Sequence, residues 1–263
     1  MINEKIILNQ NNEKLFVETY TPTNIKSTII FCHGITGCRK GRTKDDNYFQ
    51  ELAKKLMNLD YKVILFDFSG HGDSEGYDYD VCLSKNTKEL EIIFNEEVND
   101  KNDVNFLAFS YGSAVLCDFL SQNTTLNPKH IVLYSPCLYP NESCFLNYNS
   151  IFGKDIVKDF ESGKLKELGY CVVGAKNFCF GMKMIDECKN FKPNYLNKFS
   201  DRILVLSGKQ DTILNTKYND DFCNINDITN IYLDASHSLF EEINTAFDYT
   251  INFLEEKNWF WTK

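Results

Sequence analysis

The chain has 263 residues, 43% of them hydrophobic, enough for one large domain or a core with an inserted segment. Its formal net charge of −9 argues against nucleic-acid binding, which depends on a basic face. No run of 18 apolar residues occurs, and the N-terminus lacks the apolar stretch of a signal peptide, so we expect no membrane span and a cytoplasmic location.

Short apolar runs alternate along the chain with segments of helical spacing. Two runs separated by Asn-rich residues predict an N-terminal hairpin, and the later, wholly apolar runs are typical of a buried parallel sheet. The predicted strands are residues 5–8, 14–20, 28–32, 61–68, 104–109, 130–134, 202–207 and 230–233, and the predicted helices are residues 46–58, 85–97, 111–120 and 246–256. This alternation predicts an α/β fold, a mostly parallel sheet with helices on both faces.

One long stretch, between the predicted strands at 130–134 and 202–207, interrupts the alternation. It is much longer than a plain crossover needs, and it is rich in large side chains: Phe145, Tyr148, Phe152, Phe160, Tyr170, Phe178, Phe180, Met182 and Met184. We interpret residues 137–190 as an inserted cap, and residues 1–136 and 191–263 as the core. The alternative is a set of extra helices whose aromatic side chains pack on the core.

The segment around Ser110 predicts a nucleophile. An apolar strand leads directly into the serine, a helix-forming run follows it, and the small residues Ala108 and Gly112 lie two positions to either side. A tight turn between a strand and a helix exposes a serine hydroxyl for attack, and small neighbours let the strand and helix pass close together. Alone, this pattern also fits a serine at the end of a buried strand.

Two later segments supply partners for such a serine. Asp211 follows an apolar strand that ends in glycine, and His237 lies in a loop after the next strand. A histidine can accept the serine proton, and a carboxylate can hold the imidazole in the required tautomer. Of the four histidines, only His237 comes after both Ser110 and Asp211. Asp234, three residues before the histidine, is the alternative acid.

The loop that begins at His33-Gly34 follows another apolar strand. Such a loop can direct a backbone N–H at a developing oxyanion, and the residue after the nucleophile can supply a second. We therefore predict the N–H groups of Ile35 and Tyr111 as oxyanion donors.

Other candidate sites are weaker. The glycine-containing loop at 67–76 lacks the spacing of a phosphate-binding loop, so we expect His71 and Asp73 to be structural. The ten cysteines include no C-x-x-C pair and no short-spaced Cys/His pair, which predicts buried, reduced thiols. We expect no cofactor and no metal.

Together, His33-Gly34, the Gly70-His71-Gly72-Asp73-Ser74 loop, Ala108-Phe109-Ser110-Tyr111-Gly112, Gly208-x-x-Asp211 and His237 resemble the α/β-hydrolase superfamily over almost the whole chain. The resemblance implies the α/β-hydrolase fold and a Ser-His-Asp triad. Within the superfamily the chain is most similar to bacterial cinnamoyl or feruloyl esterases with a short cap, which implies a small-molecule ester substrate. Thioesterases, acyltransferases, peptidase-like serine hydrolases and a non-catalytic binding protein on the same scaffold remain open, as does the oligomeric state.

Overall fold

The computed structural model describes residues 1–145, 151–173, 177–193 and 195–257. These residues form ten strands: β1 (Ile2–Leu8), β2 (Lys14–Tyr20), β3 (Ser27–Cys32), β4 (Tyr61–Phe66), β5 (Val104–Phe109), β6 (Ile131–Tyr134), β7 (Tyr170–Val173), β8 (Phe178–Gly181), β9 (Ile203–Gly208) and β10 (Thr229–Leu233). Eight of them build one sheet in the order β1-β2-β4-β3-β5-β6-β9-β10. The predicted N-terminal hairpin is confirmed, since β1 pairs antiparallel with β2.

From β4 to β10 every neighbouring pair in this sheet is parallel, whereas β2 joins β4 antiparallel. The strands of this parallel part are almost entirely buried, as apolar strands must be when helices cover both faces, except for the edge strand β10, which is mostly half-buried. Their carboxyl ends share one edge, and loops at that edge are where ligands bind in sheets of this kind.

The helices are α1 (Tyr48–Met57), α2 (Leu83–Glu97), α3 (Tyr111–Gln122), α4 (Ile151–Glu161), α5 (Lys164–Leu168), α6 (Met182–Asn190), α7 (Lys217–Ile225) and α8 (Ile243–Leu254). Side chains of α2 and α3 pack on one face of the sheet, and those of α1 and α8 pack on the other. The predicted mostly parallel α/β architecture, with helices on both faces, is therefore confirmed. In the described part of the chain, no helix has both the length and the apolar character that crossing a bilayer requires.

The stretch between β6 and β9 contains α4, α5, a two-stranded antiparallel sheet of β7 and β8, and α6. Phe178, Phe180 and Met184 are buried in the same cluster as side chains of α2 and α3. The Cys179 N–H donates to Asp78 Oδ2 at 2.8 Å, which joins this sheet to the loop after β4. The side chains of Phe145, Phe152 and Phe160, and all of Tyr148, lie outside the described part, so the role of residues 137–190 as a cap stays a prediction.

Nine of the ten cysteines have described side chains; these nine are free thiols, and eight of them are buried. Burial raises the pKa of the Cys117 thiol to about 12, so this group stays protonated at neutral pH. Eight of these nine thiols agree with the prediction of buried cysteines, and Cys179 is half-buried.

Candidate active site

Ser110 lies in the turn between β5 and α3 with φ +52° and ψ −121°, a conformation that side-chain-bearing residues rarely adopt. Such strain costs on the order of 1–3 kcal/mol and persists only where the surrounding packing enforces it. Gly112 provides part of that packing. A Cβ at this position would lie 2.3 Å from the carbonyl oxygen of Cys32, so only glycine lets α3 approach the end of β3 this closely.

The structure brings the three predicted triad residues together in one series of hydrogen bonds. The Ser110 hydroxyl lies 2.9 Å from His237 Nε2, and His237 Nδ1 lies 2.7 Å from Asp211 Oδ2. A carboxylate only accepts, so Nδ1 carries the proton and Nε2 is left to accept from the serine. Asp211 is almost fully buried, whereas the His237 side chain is 15% exposed toward the cavity.

Asp211 is itself held in place by the loop that contains it. Its Oδ1 accepts the N–H groups of Ile213 at 2.8 Å and Leu214 at 3.0 Å, which leaves Oδ2 directed at the imidazole. The alternative acid, Asp234, is exposed and accepts the side-chain amide of Gln210 at 2.9 Å. The geometry therefore pairs Asp211 with the histidine.

The two predicted oxyanion donors border the same site. Ile35 lines the cavity beside Ser110. Tyr111 is the first residue of α3, so its N–H has no carbonyl four residues earlier within the helix to bond. The Tyr111 side chain is buried and its hydroxyl donates to Asn86 Oδ1 at 3.0 Å, so the backbone N–H is the group that Tyr111 can offer to a ligand.

His33 connects the loop of Ile35 to the loop after β4. Its Nδ1 donates to the carbonyl of Gly34 at 2.8 Å, and its Nε2 accepts the Phe68 N–H at 3.0 Å. Burial lowers the pKa of this imidazole to about 4, so the ring is neutral at pH 7 and can both donate and accept. His33 thus fixes the backbone from which Ile35 projects.

A buried ion pair between Arg39 and Asp67 fixes a later part of the loop that contains Ile35. This pair was not predicted from the sequence. Arg39 donates its backbone N–H to Asp67 Oδ1 at 2.6 Å and its Nη1 to Asp67 Oδ2 at 2.5 Å. Nη1 also donates to Asp73 at 2.8 Å, and Lys44 donates to the same carboxylate at 2.9 Å. These two contacts lower the pKa of Asp73 to about 2, with the hydrogen bond from Lys44 the larger cause. These contacts agree with the predicted structural role of Asp73.

His71 is also buried, and its Nδ1 donates to the Ser69 carbonyl at 3.0 Å. Its ring lies against Phe178 from β8, with centroids 5.2 Å apart. Burial lowers its pKa to about 3, so it is neutral at pH 7. These contacts agree with the predicted structural role. Among the described residues, no group of three or more His, Cys, Asp or Glu side chains is placed to hold a metal ion.

The Ser110 hydroxyl opens into a cavity of about 520 Å³. Its described wall comes from the loop after β3, the turn at Ser110, and the loops that carry Asp211 and His237: Ile35, Thr36, Gly37, Arg42, Thr43, Phe109, Ser110, Thr212, Ile213, Ser236, His237 and Ser238. None of these residues belongs to the predicted cap. The predicted nucleophile, the predicted base and one predicted oxyanion donor thus border one space large enough for a small molecule.

Comparisons with known proteins agree with this architecture. Residues 27–150 match the family model described as alpha/beta hydrolase fold. Over 70 residues the chain is 36% identical to human (Homo sapiens) monoglyceride lipase, covering 27% of this chain and 21% of the lipase. Over 129 residues it is 30% identical to ethanol acetyltransferase 1 of Hanseniaspora uvarum, covering 48% of this chain and 35% of the transferase. The matched segments thus span about a third or less of these relatives' own length.

Solved structures of other proteins also match nearly the whole chain. A protein described as a hydrolase, from Agrobacterium vitis S4, superposes with a TM-score of 0.76 at 17% identity, over 96% of this chain and 99% of that one. Est1E from Butyrivibrio proteoclasticus, solved with ferulic acid bound, superposes with a TM-score of 0.73 at 14% identity, over 96% and 98%. The chain therefore has the α/β-hydrolase fold, and residues 27–150 also match the family model of that fold.

Proposed function

We propose that the protein is a serine hydrolase of carboxylic esters that acts through Ser110, His237 and Asp211. One observation carries this proposal: the unbroken series of hydrogen bonds from the Ser110 hydroxyl through the imidazole to Asp211, bordering a cavity of small-molecule size. A protein that only binds ligands has no need of this arrangement, whereas an acyl-transfer enzyme requires it.

In the proposed reaction, Ser110 Oγ attacks the ester carbonyl while His237 Nε2 takes the hydroxyl proton. The N–H groups of Ile35 and Tyr111 stabilise the oxyanion of the tetrahedral intermediate. The imidazolium, stabilised by Asp211, then protonates the leaving alcohol, and an acyl group remains on Ser110. Water repeats the sequence, with His237 as its base, and releases the carboxylic acid.

The names of the similar proteins support an ester substrate. Monoglyceride lipase and ethanol acetyltransferase are each named for a reaction in which an ester bond is cleaved or formed. The narrower prediction of a feruloyl or other aryl ester is supported by likeness to Est1E in fold alone. An acyltransferase is the second candidate, because such an enzyme needs the same acyl-serine and differs only in the acceptor.

The test compares wild type with Ser110→Ala on p-nitrophenyl esters of increasing acyl length, methyl ferulate and an acyl-CoA. Removing the nucleophile should lower kcat by on the order of 10⁴-fold or more. Ser121→Ala, which removes an exposed hydroxyl from α3, is the control and should retain activity. A fluorophosphonate should label wild type and the control but not Ser110→Ala.

Each outcome decides between the alternatives. Turnover of methyl ferulate above the simple esters would support the aryl ester, and a preference for the acyl-CoA would support a thioesterase. Ester product formed on an added alcohol would support the acyltransferase. Turnover that survives Ser110→Ala would refute the triad, and failure of the fluorophosphonate to label Ser110 would support the non-catalytic alternative.

A further inference from the structure

The charge of the cavity differs from that of the whole chain. The protein has a net charge of −9, yet the described wall beside Ser110 includes Arg42 and no carboxylate. Apart from the catalytic serine and His237, its other polar side chains are hydroxyls, from three threonines and two further serines. Local fields at a site need not follow net charge. Arg42 gives this wall one cation for an anionic group, with the carboxylates of Asp46 and Glu241 close to it outside the cavity lining.

Contacts on two sides restrain the Arg42 side chain. Its guanidinium carbon lies 4.8 Å from the centre of the Phe240 ring, and its Nε lies 3.9 Å from Asp46 Oδ2. Asp46 Oδ2 also accepts the Thr43 N–H at 2.8 Å, so the acid is tied to the loop's own backbone. Stacking on an aromatic ring holds the planar guanidinium at the cavity, with less entropy to lose when a ligand binds.

A guanidinium has five N–H donors in a planar fork that matches a carboxylate. Its contacts with Phe240 and with Asp46, whose oxygen lies 3.9 Å from Nε, do not occupy all five donors, so the fork can also donate to a ligand. Its side chain is 44% exposed, so solvent weakens such a pair, and the expected gain is about tenfold in kcat/KM rather than the larger effect of a buried pair.

We infer that Arg42 is a specificity-determining residue, and that the substrate is an ester with a free carboxylate elsewhere in the molecule. This inference rests on the proposed esterase function and names its substrate class. The carboxylate can lie on the acyl part or on the alcohol part of the ester, because the cavity borders both the serine that takes the acyl group and the histidine that protonates the alcohol.

The test uses two matched pairs of esters, with acid release followed by pH-stat. Monomethyl adipate against methyl hexanoate places the charge on the acyl part, and the butanoyl ester of glycolate against propyl butanoate places it on the alcohol part. The quantity compared is the ratio of kcat/KM for the charged ester to that for the neutral ester. The variants are Arg42→Gln and Arg202→Gln. Arg202 precedes β9 at the opposite edge of the sheet, so the control makes the same change of charge far from the cavity.

For at least one pair, we expect Arg42→Gln to lower the ratio about tenfold and Arg202→Gln to leave it at the wild-type value. The pair that responds identifies the part of the ester that carries the carboxylate. Equal ratios in wild type and Arg42→Gln for both pairs would overturn the inference, and so would an equal loss in the two variants.

Ser110→Ala separates this result from a failure of the proposed function. One outcome would be Ser110-dependent hydrolysis of the neutral esters together with charged-to-neutral ratios of kcat/KM that Arg42→Gln does not change. It would refute the role of Arg42 and leave the proposed esterase function standing. Hydrolysis that survives Ser110→Ala, or none with any of the four esters, would overturn both.

Discussion

Substitution of Asp67 is the most direct test of what holds the loop after β3, which contains Ile35, in place. It is fully buried, and its two oxygens accept three hydrogen bonds. Oδ1 accepts the Arg39 N–H, and Oδ2 accepts both Arg39 Nη1 and the Asp73 N–H at 2.9 Å. In Asp67→Asn, the amide oxygen can replace only one of these acceptors. The NH₂ group must then face a donor, and the buried guanidinium loses its nearest negative charge.

The size of the effect follows from these contacts. Removing one partner of a buried ion pair costs about 3–5 kcal/mol. Arg39 keeps Asp73, so we expect Asp67→Asn to lower the free energy of unfolding by about 3 kcal/mol. For a protein of this size, that corresponds to a fall in Tm of roughly 6–12 °C. Loosening of the loop should also lower kcat more than it changes KM, because the oxyanion donor acts on the transition state.

Thermal unfolding at pH 7 measures the first effect, and ester hydrolysis below Tm measures the second. The matched control is Asp45→Asn, an exposed acid in the same loop, whose free energy of unfolding should change by about 0.5 kcal/mol or less. If the Tm of Asp67→Asn lay within about 2 °C of the control, the buried pair would not hold the loop, and the argument from its geometry would be wrong.

Three further predictions concern the triad, pH and packing. Asp211→Asn should lower kcat by about 10⁴-fold, and Asp234→Asn should not; a larger loss in Asp234→Asn would reverse the assignment. Since burial lowers the pKa of His71 to about 3, the unfolded chain binds a proton that the folded chain does not, and stability should fall as pH drops from about 6.5 toward 3. His71→Phe should flatten that fall in a series of Tm against pH, and an unchanged slope would show that other groups dominate. Gly112→Ala places a methyl group 2.3 Å from the Cys32 carbonyl, so chemical denaturation should show a loss of about 1–3 kcal/mol, and wild-type stability would contradict the close packing.

The parts of the fold that could be predicted are those marked by a pattern within a short stretch of the sequence. Strand β5 was predicted with the bounds that the structure has, because an apolar run followed by Ser110, Gly112 and a helix-forming segment fixes both ends. Helix α7 was missed because it is short and only two of its apolar side chains, Phe222 and Cys223, are buried, among mostly polar residues. The predicted strand at 61–68 ends earlier, at Phe66, because Asp67 begins the turn that holds Arg39.

The candidate site likewise has some features that could be predicted from the sequence and others that could not. The types and order of Ser110, Asp211 and His237 are visible in the sequence, but the choice between Asp211 and Asp234 is not, because each follows a strand. That choice depends on the pairing of two neighbouring parallel strands, which sets Leu233 of β10 opposite Gly208 of β9. The Arg39–Asp67 pair was equally hidden, because its partners lie 28 residues apart in different loops and no local pattern links them.

Gly208 shows why distant residues must pack closely for this geometry to exist. A Cβ there would lie 2.3 Å from the Ser236 carbonyl and 2.5 Å from the Ala235 carbonyl, so the end of β9 touches the backbone of the histidine loop directly. This contact places Asp211, three residues after Gly208, beside the imidazole of His237. A hydrogen bond of 2.7 Å between side chains from separate loops requires such fixed backbones, since a shift of 1 Å would break it. The close approach that brings the proposed acid and base together therefore depends on a glycine that takes no part in the proposed chemistry.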